Sequence, residues 1–337
     1  MPSEFTDLID LAAERLGGAA LFANDEFFAE KENLLKAGRA IFIPDKYTER
    51  GKWMDGWETR RKRGPGHDFC VIRLGVPGRI AGFDIDTQHF LGNFPEAAAV
   101  DACVASPEAS GEALVTQADW QELVPMSRLD GGSQNLFAVS DTRRFTHVRL
   151  RIYPDGGVAR FRVHGEARPD WATLLASGAP LDLAAVEHGG VALLASDMFF
   201  SHRNNLIMPG RGVHMGDGWE TKRRRGPGHD WVVLRLGRPG RITRAEVDTH
   251  HFKGNFPDQC AIEGASLPHD APAEFLASLS IDWRPLLKPT ALQADQVHVF
   301  TQELLPGGPY SHIRLNIFPD GGVSRLRLFG HATEERV

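Results

Sequence analysis

Two stretches of this chain gather residues that can bind an anion and move a proton. Residues 56–68 read GWETRRKRGPGHD and residues 218–230 read GWETKRRRGPGHD; each is followed by a second polar tract, DTQHFLGNFP at 86–95 and DTHHFKGNFP at 248–257. A guanidinium presents parallel N–H donors that both hold and orient a carboxylate. Arg61, Arg63, Arg223 and Arg225 stand unchanged in the two copies, whereas positions 60 and 62 exchange Arg and Lys. Carboxylate binding is therefore expected of the first four and solvation of positions 60 and 62. His67 and His229, each beside an aspartate at the start of a strand, can donate or accept a proton near neutral pH. They are the expected acid–base pair, with Glu58, Glu220, Asp86 and Asp248 as the catalytic carboxylates. Asp68, Asp230, His89, His251, Asn93 and Asn255 complete the expected substrate-binding set, although Asp68 and Asp230 equally suit a backbone-capping role. Trp57 and Trp219, just before the two glutamates, read as packing anchors.

Other chemistries find less support. Asp86, His89 and Asn93 recur at intervals of three and four on what reads as a strand leaving the sheet. Asp-x-x-His could be half of a metal site, but the His-x-His pair of a cupin-type centre is absent. No metal or cofactor is assigned, with a divalent ion as the alternative. There is no Gly-x-Ser-x-Gly, P-loop, Gly-x-Gly-x-x-Gly after a strand, or His-Glu-x-x-His, so acyl-enzyme and nucleotide chemistry lack a motif.

The two copies align from 56–95 to 218–257 without a gap, and 27 of these 40 positions are identical, which makes the chain an internal duplication. The polar residues stayed while the hydrophobic ones drifted conservatively, Ile72 to Leu234 and Ile85 to Val247. Packing alone would preserve apolar character and release the polar positions. The motifs resemble those of the allantoicase family, whose members carry two repeats with GWETRR-x-R-x-x-GHD followed by D-T-x-H-F-x-G-N. The resemblance implies a jelly-roll β-sandwich of galactose-binding-domain-like form in each repeat. It also implies hydrolysis of allantoate to (S)-ureidoglycolate and urea, a step of allantoin and purine breakdown; an acid–base route to these products requires no covalent enzyme nucleophile. A tandem module binding carbohydrate or another small ligand, a related ureide hydrolase and a ureidoglycolate urea-lyase are the alternatives. Because both motifs kept their polar residues, both are expected to contribute, as two sites or as halves of one pocket. Position 88 is Gln where 250 is His; if these segments are strands, His250 points away from His251.

The elements that position these residues can be read in outline. The 337 residues suit two domains, 1–168 and 169–337. With 35 Gly and 21 Pro the chain favours turns and short strands, and a net charge of -6 argues against a nucleic-acid partner. Cys70, Cys103 and Cys260 form no CxxC pair and do not match between copies, as expected of buried thiols in a reducing compartment. The amino-terminal stretch is acidic where a signal peptide is basic, and no apolar run reaches membrane-spanning length. A cytoplasmic protein, free of membrane partners and open to forming a homo-oligomer, is expected.

Apolar residues at 8, 11, 12 and 16 predict a short helix over 6–16 with Gly17 as its cap, and a twin begins near 181. From Phe28 to Gly56 the first copy takes 28 steps against 18 from Phe200 to Gly218; the extra residues, about 44–53, read as a surface loop. Residues 71–74 and 79–86 predict two strands joined by a turn at 75–78. Residues 147–163 and 312–328 predict a hairpin turning at Pro-Asp-Gly-Gly, and 169–180 reads as a linker with a short turn at 171–175. All-β, in tandem, is the resulting fold class.

Overall fold

Each repeat is built on one long strand where the sequence pattern predicts two. In chain order the first repeat contains β1 (Ile9–Asp10), β2 (Ala19–Ala23), β3 (Tyr47–Thr48), β4 (Gly51–Lys52), β5 (Trp57–Glu58), β6 (Asp68–Asp86), β7 (Ala97–Cys103), β8 (Gln121–Arg128), β9 (Gln134–Ala138), β10 (Arg144–Tyr153), β11 (Gly157–Val158) and β12 (Arg160–Ala167). The second contains β13 (Leu181–Asp182), β14 (Val191–Ala195), β15 (Trp219–Glu220), β16 (Asp230–Asp248), β17 (Gln259–Ala265), β18 (Arg284–Ala291), β19 (Val297–Phe300), β20 (Tyr310–Phe318), β21 (Gly322–Val323) and β22 (Arg325–Ala332). This computed structural model describes residues 4–278 and 280–333, so the first three residues of the stretch read against a signal peptide lie outside it. The chain divides into two compact units, Met1–Arg168 and Pro169–Val337.

The first half of β6 runs between β2 and β10, and its second half between β9 and β12. β10 continues to β7 and β8, and β12 to β1, which gives a jelly-roll sandwich whose layers share β6. The second repeat repeats this around β16. The chain is thus two tandem all-β domains, as the sequence implied. Gly75 and Gly78 do not make a turn. A Cβ on Gly75 would lie 2.5 Å from the Leu16 carbonyl, and one on Gly78 2.4 Å from the Glu166 carbonyl oxygen, so the glycines let neighbouring backbones cross the strand. The register with β10 skips between Phe145 and His147 opposite this stretch, which leaves Pro77 without a ladder bond to supply.

Two further local readings fail for long-range reasons. The predicted helix over 6–16 breaks into two short 3-10 turns, Glu4–Asp7 and Glu14–Leu16, with β1 between them. Asp10 causes the break: its Oδ1 accepts from Ala12 N and Val163 N, so its backbone pairs with β12 instead of continuing a helix. The second copy does the same with Asp182. The cap is as expected, with Gly17 and Gly189 left-handed. The predicted hairpin is absent too, since β10 and β12 flank β6 and do not pair with each other among the described residues. The turn predicted at 171–175 is a short helix, Trp171–Leu175, capped by Asp170.

The core contains Ile72, Ile80, Phe83, Ile85, Leu150 and Phe161 in the first repeat, with Phe83 and Phe161 stacked 5.7 Å apart. Among the described residues, no helix is long and apolar enough to cross a membrane. Each core also holds a histidine. His147 and His312 are wholly buried, share Nδ1 with the preceding Thr146 or Ser311 hydroxyl, and have no hydrogen-bond partner at Nε2 among the described residues. Burial, with the charges of Arg73 and Arg235 respectively, lowers both to about 4.

A histidine held neutral in the fold favours unfolding once the unfolded chain can protonate it. Stability present above pH 6.5 is therefore lost as pH falls from 6.5 towards 4, at most on the order of 3 kcal/mol per histidine. Thermal melts across this range should show Tm falling with pH in the parent chain and falling less steeply in H147L/H312L. Equal slopes would remove these histidines from the account.

Candidate active site

Glu58 sits in β5, which pairs with β11: Trp57 faces Val158 and Glu58 faces Gly157. Trp57 is fully buried, and its indole N–H donates to the Asp25 carbonyl at 2.8 Å, so the residue before Glu58 is pinned by both packing and a hydrogen bond. The Asn93 amide donates to Glu58 Oε1 at 2.7 Å. Burial pushes the Glu58 carboxyl above its ordinary range, and the Asn93 donation partly offsets this.

Asp86 ends β6 and turns the chain there. Its Oδ1 accepts from Gln88 N at 2.7 Å, and Phe90 N bonds the Thr87 carbonyl. His89 therefore lies in a turn and not on a strand, with φ at 71°, a left-handed conformation that costs a non-glycine residue about 1 kcal/mol. Its Nε2–H donates to the Ala40 carbonyl at 3.1 Å, and its ring stacks on Phe42 at 5.5 Å. That tautomer leaves Nδ1 as a free acceptor. Asp86 and Asp248, expected to be catalytic, are thus nearly buried caps that launch the turn.

Glu58, His89 and Asn93 come together on the wall of a cavity of about 370 Å³, with Lys52 and Gly92 beside them and Phe28, Phe42, Met54 and Leu91 as the apolar wall. The volume falls within the range of small-molecule sites. Lys52, Phe42 and Met54 escaped the sequence reading because the loop carrying them has no counterpart motif. The ten-residue length difference beside the first motif was the available signal.

His67, Arg61 and Arg63 do not line this cavity. His67 stands at the start of β6 against Tyr153, ring centroids 4.9 Å apart. Burial, then the charges of Arg151 and Arg149, lowers its pKa, which keeps it neutral. In the second repeat His229 donates from Nε2 to Asn316 Oδ1 at 3.1 Å. Arg61, Arg63, Arg223 and Arg225 are exposed, without an ion pair among the described residues.

The positions expected to be solvated are the paired ones. Arg60 bonds Asp25 at 2.7 Å and Lys222 lies 3.3 Å from Asp197; Lys62 and Arg224 each reach Oδ1 of Asp68 or Asp230 at 2.5 Å. Exchange between Lys and Arg is tolerated there because either cation can meet one carboxylate oxygen. Asp68 and Asp230, expected to bind substrate, are buried beneath their own tracts and occupied by these cations and by Asn24 or Ser196. Their partners among the described residues are side chains and not the backbone groups of the capping alternative, so they serve as buried counter-ions of the tract.

The second repeat keeps the frame. Asn255 bonds Glu220 at 2.5 Å, His251 Nε2 donates to the Gly212 carbonyl at 3.0 Å, and Trp219 to the Asp197 carbonyl at 2.8 Å. His250 does not point away from His251; their rings lie 3.9 Å apart because both belong to the turn, with His251 at φ 72°. Asp295 holds His250 Nδ1 at 3.0 Å. Among the described residues no group of His, Cys, Asp and Glu is arranged to hold a metal ion.

A family profile for the allantoicase repeat matches residues 9–168 and again 181–333. The chain is 51% identical over 322 residues to a Burkholderia pseudomallei protein named "Probable allantoicase 2", covering 96% of this chain and 94% of that one. It is 50% identical over 330 residues to "Probable allantoicase" of Photobacterium profundum, covering 98% of each. Its structure is similar to the crystal structure of allantoicase from Saccharomyces cerevisiae, with a TM-score of 0.81 and 35% identity over 98% of this chain and 97% of that one.

The cavity's loop is anchored by one buried carboxylate. Asp55 Oδ2 accepts from Ile41 N at 2.9 Å and pairs with Arg160 at 2.7 Å, both side chains almost wholly buried. Asp55→Ala leaves the Arg160 charge uncompensated and should cost about 3–5 kcal/mol, read by denaturant melts. A cost below about 1 kcal/mol would mean that the pair does not hold this corner.

Proposed function

The chain belongs to the allantoicase family, and we propose that it hydrolyses allantoate to ureidoglycolate and urea in the first repeat's cavity, with Glu58 carrying the proton. The observation that carries this reading is the placement of a carboxyl raised by burial, fixed by Asn93, on a cavity wall that also presents His89. A sugar-binding module has no need of such a carboxyl.

Allantoate bears a carboxylate and two ureido arms on one carbon. Urea nitrogen does not depart as an anion, so a proton must reach it while the other arm's nitrogen supplies the electron pair. Glu58 takes the N–H proton of the pushing arm; a C=N bond forms as the C–N bond to the departing arm breaks. The same proton then passes to the departing nitrogen, and urea is released. Water adds to the C=N carbon, giving its proton to Glu58, which returns it to nitrogen and is restored as a carboxylate. One water is consumed and no net proton is exchanged. The free Nδ1 of His89 accepts a ureido N–H and orients the arm. Asn93 holds the Glu58 oxygen in position. His67, outside the cavity lining, has no step in this scheme. Arg61 and Arg63, three and five residues beyond Glu58, add positive charge that draws in an anionic substrate. Three buried free thiols, Cys70, Cys103 and Cys260, suit the reducing cytoplasm.

Glu58→Gln should lower kcat by about 10²–10⁴ with an unchanged circular dichroism spectrum; retained turnover would refute the role. Glu58 acts as a base, so activity is lost as pH falls through its raised pKa, and the acid limb of kcat/KM should lie above the ordinary glutamate value. Asn93→Ala removes a donor to the charged form and should move that limb to higher pH.

A further inference from the structure

The two repeats share a frame but not a wall. Between Ala40 and Asp55 the first repeat has ten residues more than the second has between Gly212 and Asp217. This insertion is ordered by its own contacts: β3 pairs with β4, Trp53 N bonds the Lys46 carbonyl at 3.0 Å, the Lys46 ammonium lies 3.8 Å from the Trp53 ring centroid, and Arg50 donates to the Phe27 carbonyl at 3.1 Å. It carries Phe42 and Lys52 into the cavity lining, and the second repeat's short segment, Val213-His214-Met215-Gly216, has neither residue type. Consistent with the missing cover, Phe200 is 61% exposed where its counterpart Phe28 is 37%.

Among the described residues, Lys52 is the only lysine or arginine in that lining. Its ammonium lies 4.5 Å from the Phe42 ring centroid, and no carboxylate pairs with it among the described residues. Phe42 in turn stacks on His89, so the insertion's cation, its aromatic support and the ureido-facing histidine form one connected wall. In the second repeat Lys253 occupies the position of Leu91, but there it lies 4.0 Å from Asp295. An unpaired ammonium at a cavity wall, facing a substrate that brings one carboxylate, is a charge match, and the second repeat has no residue equivalent to Lys52 because it lacks the insertion.

We propose that Lys52 recognises the substrate carboxylate and that each chain therefore binds one allantoate, in its first repeat. This rests on the hydrolytic reading above. It moves carboxylate recognition from the arginines of the repeated tract to a residue outside both motifs.

Calorimetric titration of the full-length Glu58→Gln chain with allantoate should give one site per chain. Adding Lys52→Met should weaken binding at least tenfold, and adding Lys52→Arg instead should restore most of it. In the chain with Glu58 intact, Lys52→Met should raise KM at least tenfold with a smaller change in kcat. Two equivalent sites per chain, or unchanged affinity and KM in the Lys52→Met chains with an unaltered dichroism spectrum, would overturn the assignment. Full turnover by Glu58→Gln would instead refute the proton-carrier reading, an outcome distinguishable because the affinity of allantoate for the Lys52 variants is measured separately.

Discussion

The site depends on a pair of glycines that lie in neither repeated tract. Gly156 has φ at 140°, and a Cβ there would sit 2.8 Å from the Asn93 carbonyl oxygen; a Cβ on Gly157 would sit 2.0 Å from the Phe90 ring. With no side chains in the way, three segments meet. Gly157 N donates to Asn93 O at 2.7 Å, Thr59 N donates to Gly156 O at 3.1 Å, and Asp155 Oδ2 accepts from Lys62 N at 2.7 Å. The tract bearing Glu58 and the turn bearing His89 and Asn93 are thereby brought to one place. Gly321, Gly322 and Asp320 repeat these contacts in the second unit. Close backbone approach of this kind accepts only glycine, so Pro-Asp-Gly-Gly is better understood as a docking corner than as a hairpin turn.

Much of the polarity kept in both copies is structural. Asp25 and Asp68 hold the basic tract from below, Asp86 caps a strand, and Asp55 with Arg160 closes the base of the insertion. Each of these carboxylates is buried or partly so and therefore needs a partner, and removing one strands a charge inside the protein. Packing can thus preserve charged residues as strictly as chemistry does. The residues left over, Glu58, His89 and Asn93, differ in reaching a cavity with unused hydrogen-bonding capacity.

The duplication, the all-β class and the motif carrying Glu58 were legible because each is a local or periodic property. The helix expected over 6–16 failed because its apolar spacing is helical while Asp10 answers to Val163, more than 150 residues away. The turn at 75–78 failed for a similar reason: glycine and proline mark a turn by composition, yet here they serve strands that cross. The pairing of position 60 could not be read because Asp25 belongs to another segment altogether, and that of position 62 because its partner Asp68 lies across the tract's own turn, where spacing alone does not show that the two side chains meet. Lys52 was hidden differently. A residue present in only one copy leaves no repeated pattern, so comparison between repeats is blind to it.

That blindness bears on how duplicated proteins divide labour. The repeated residues set the frame, since backbone docking and buried ion pairs must be satisfied in each unit for it to fold. What distinguishes the units is the covering of that frame. Phe42 and Lys52 of the insertion line the same cavity as Glu58, so the loop changes the surroundings of a carboxyl whose pKa burial raises. A ten-residue loop can do this without altering one repeated residue. The two copies can therefore remain nearly superimposable in sequence at their motifs while differing in what surrounds those motifs, because the insertion belongs to the first repeat alone.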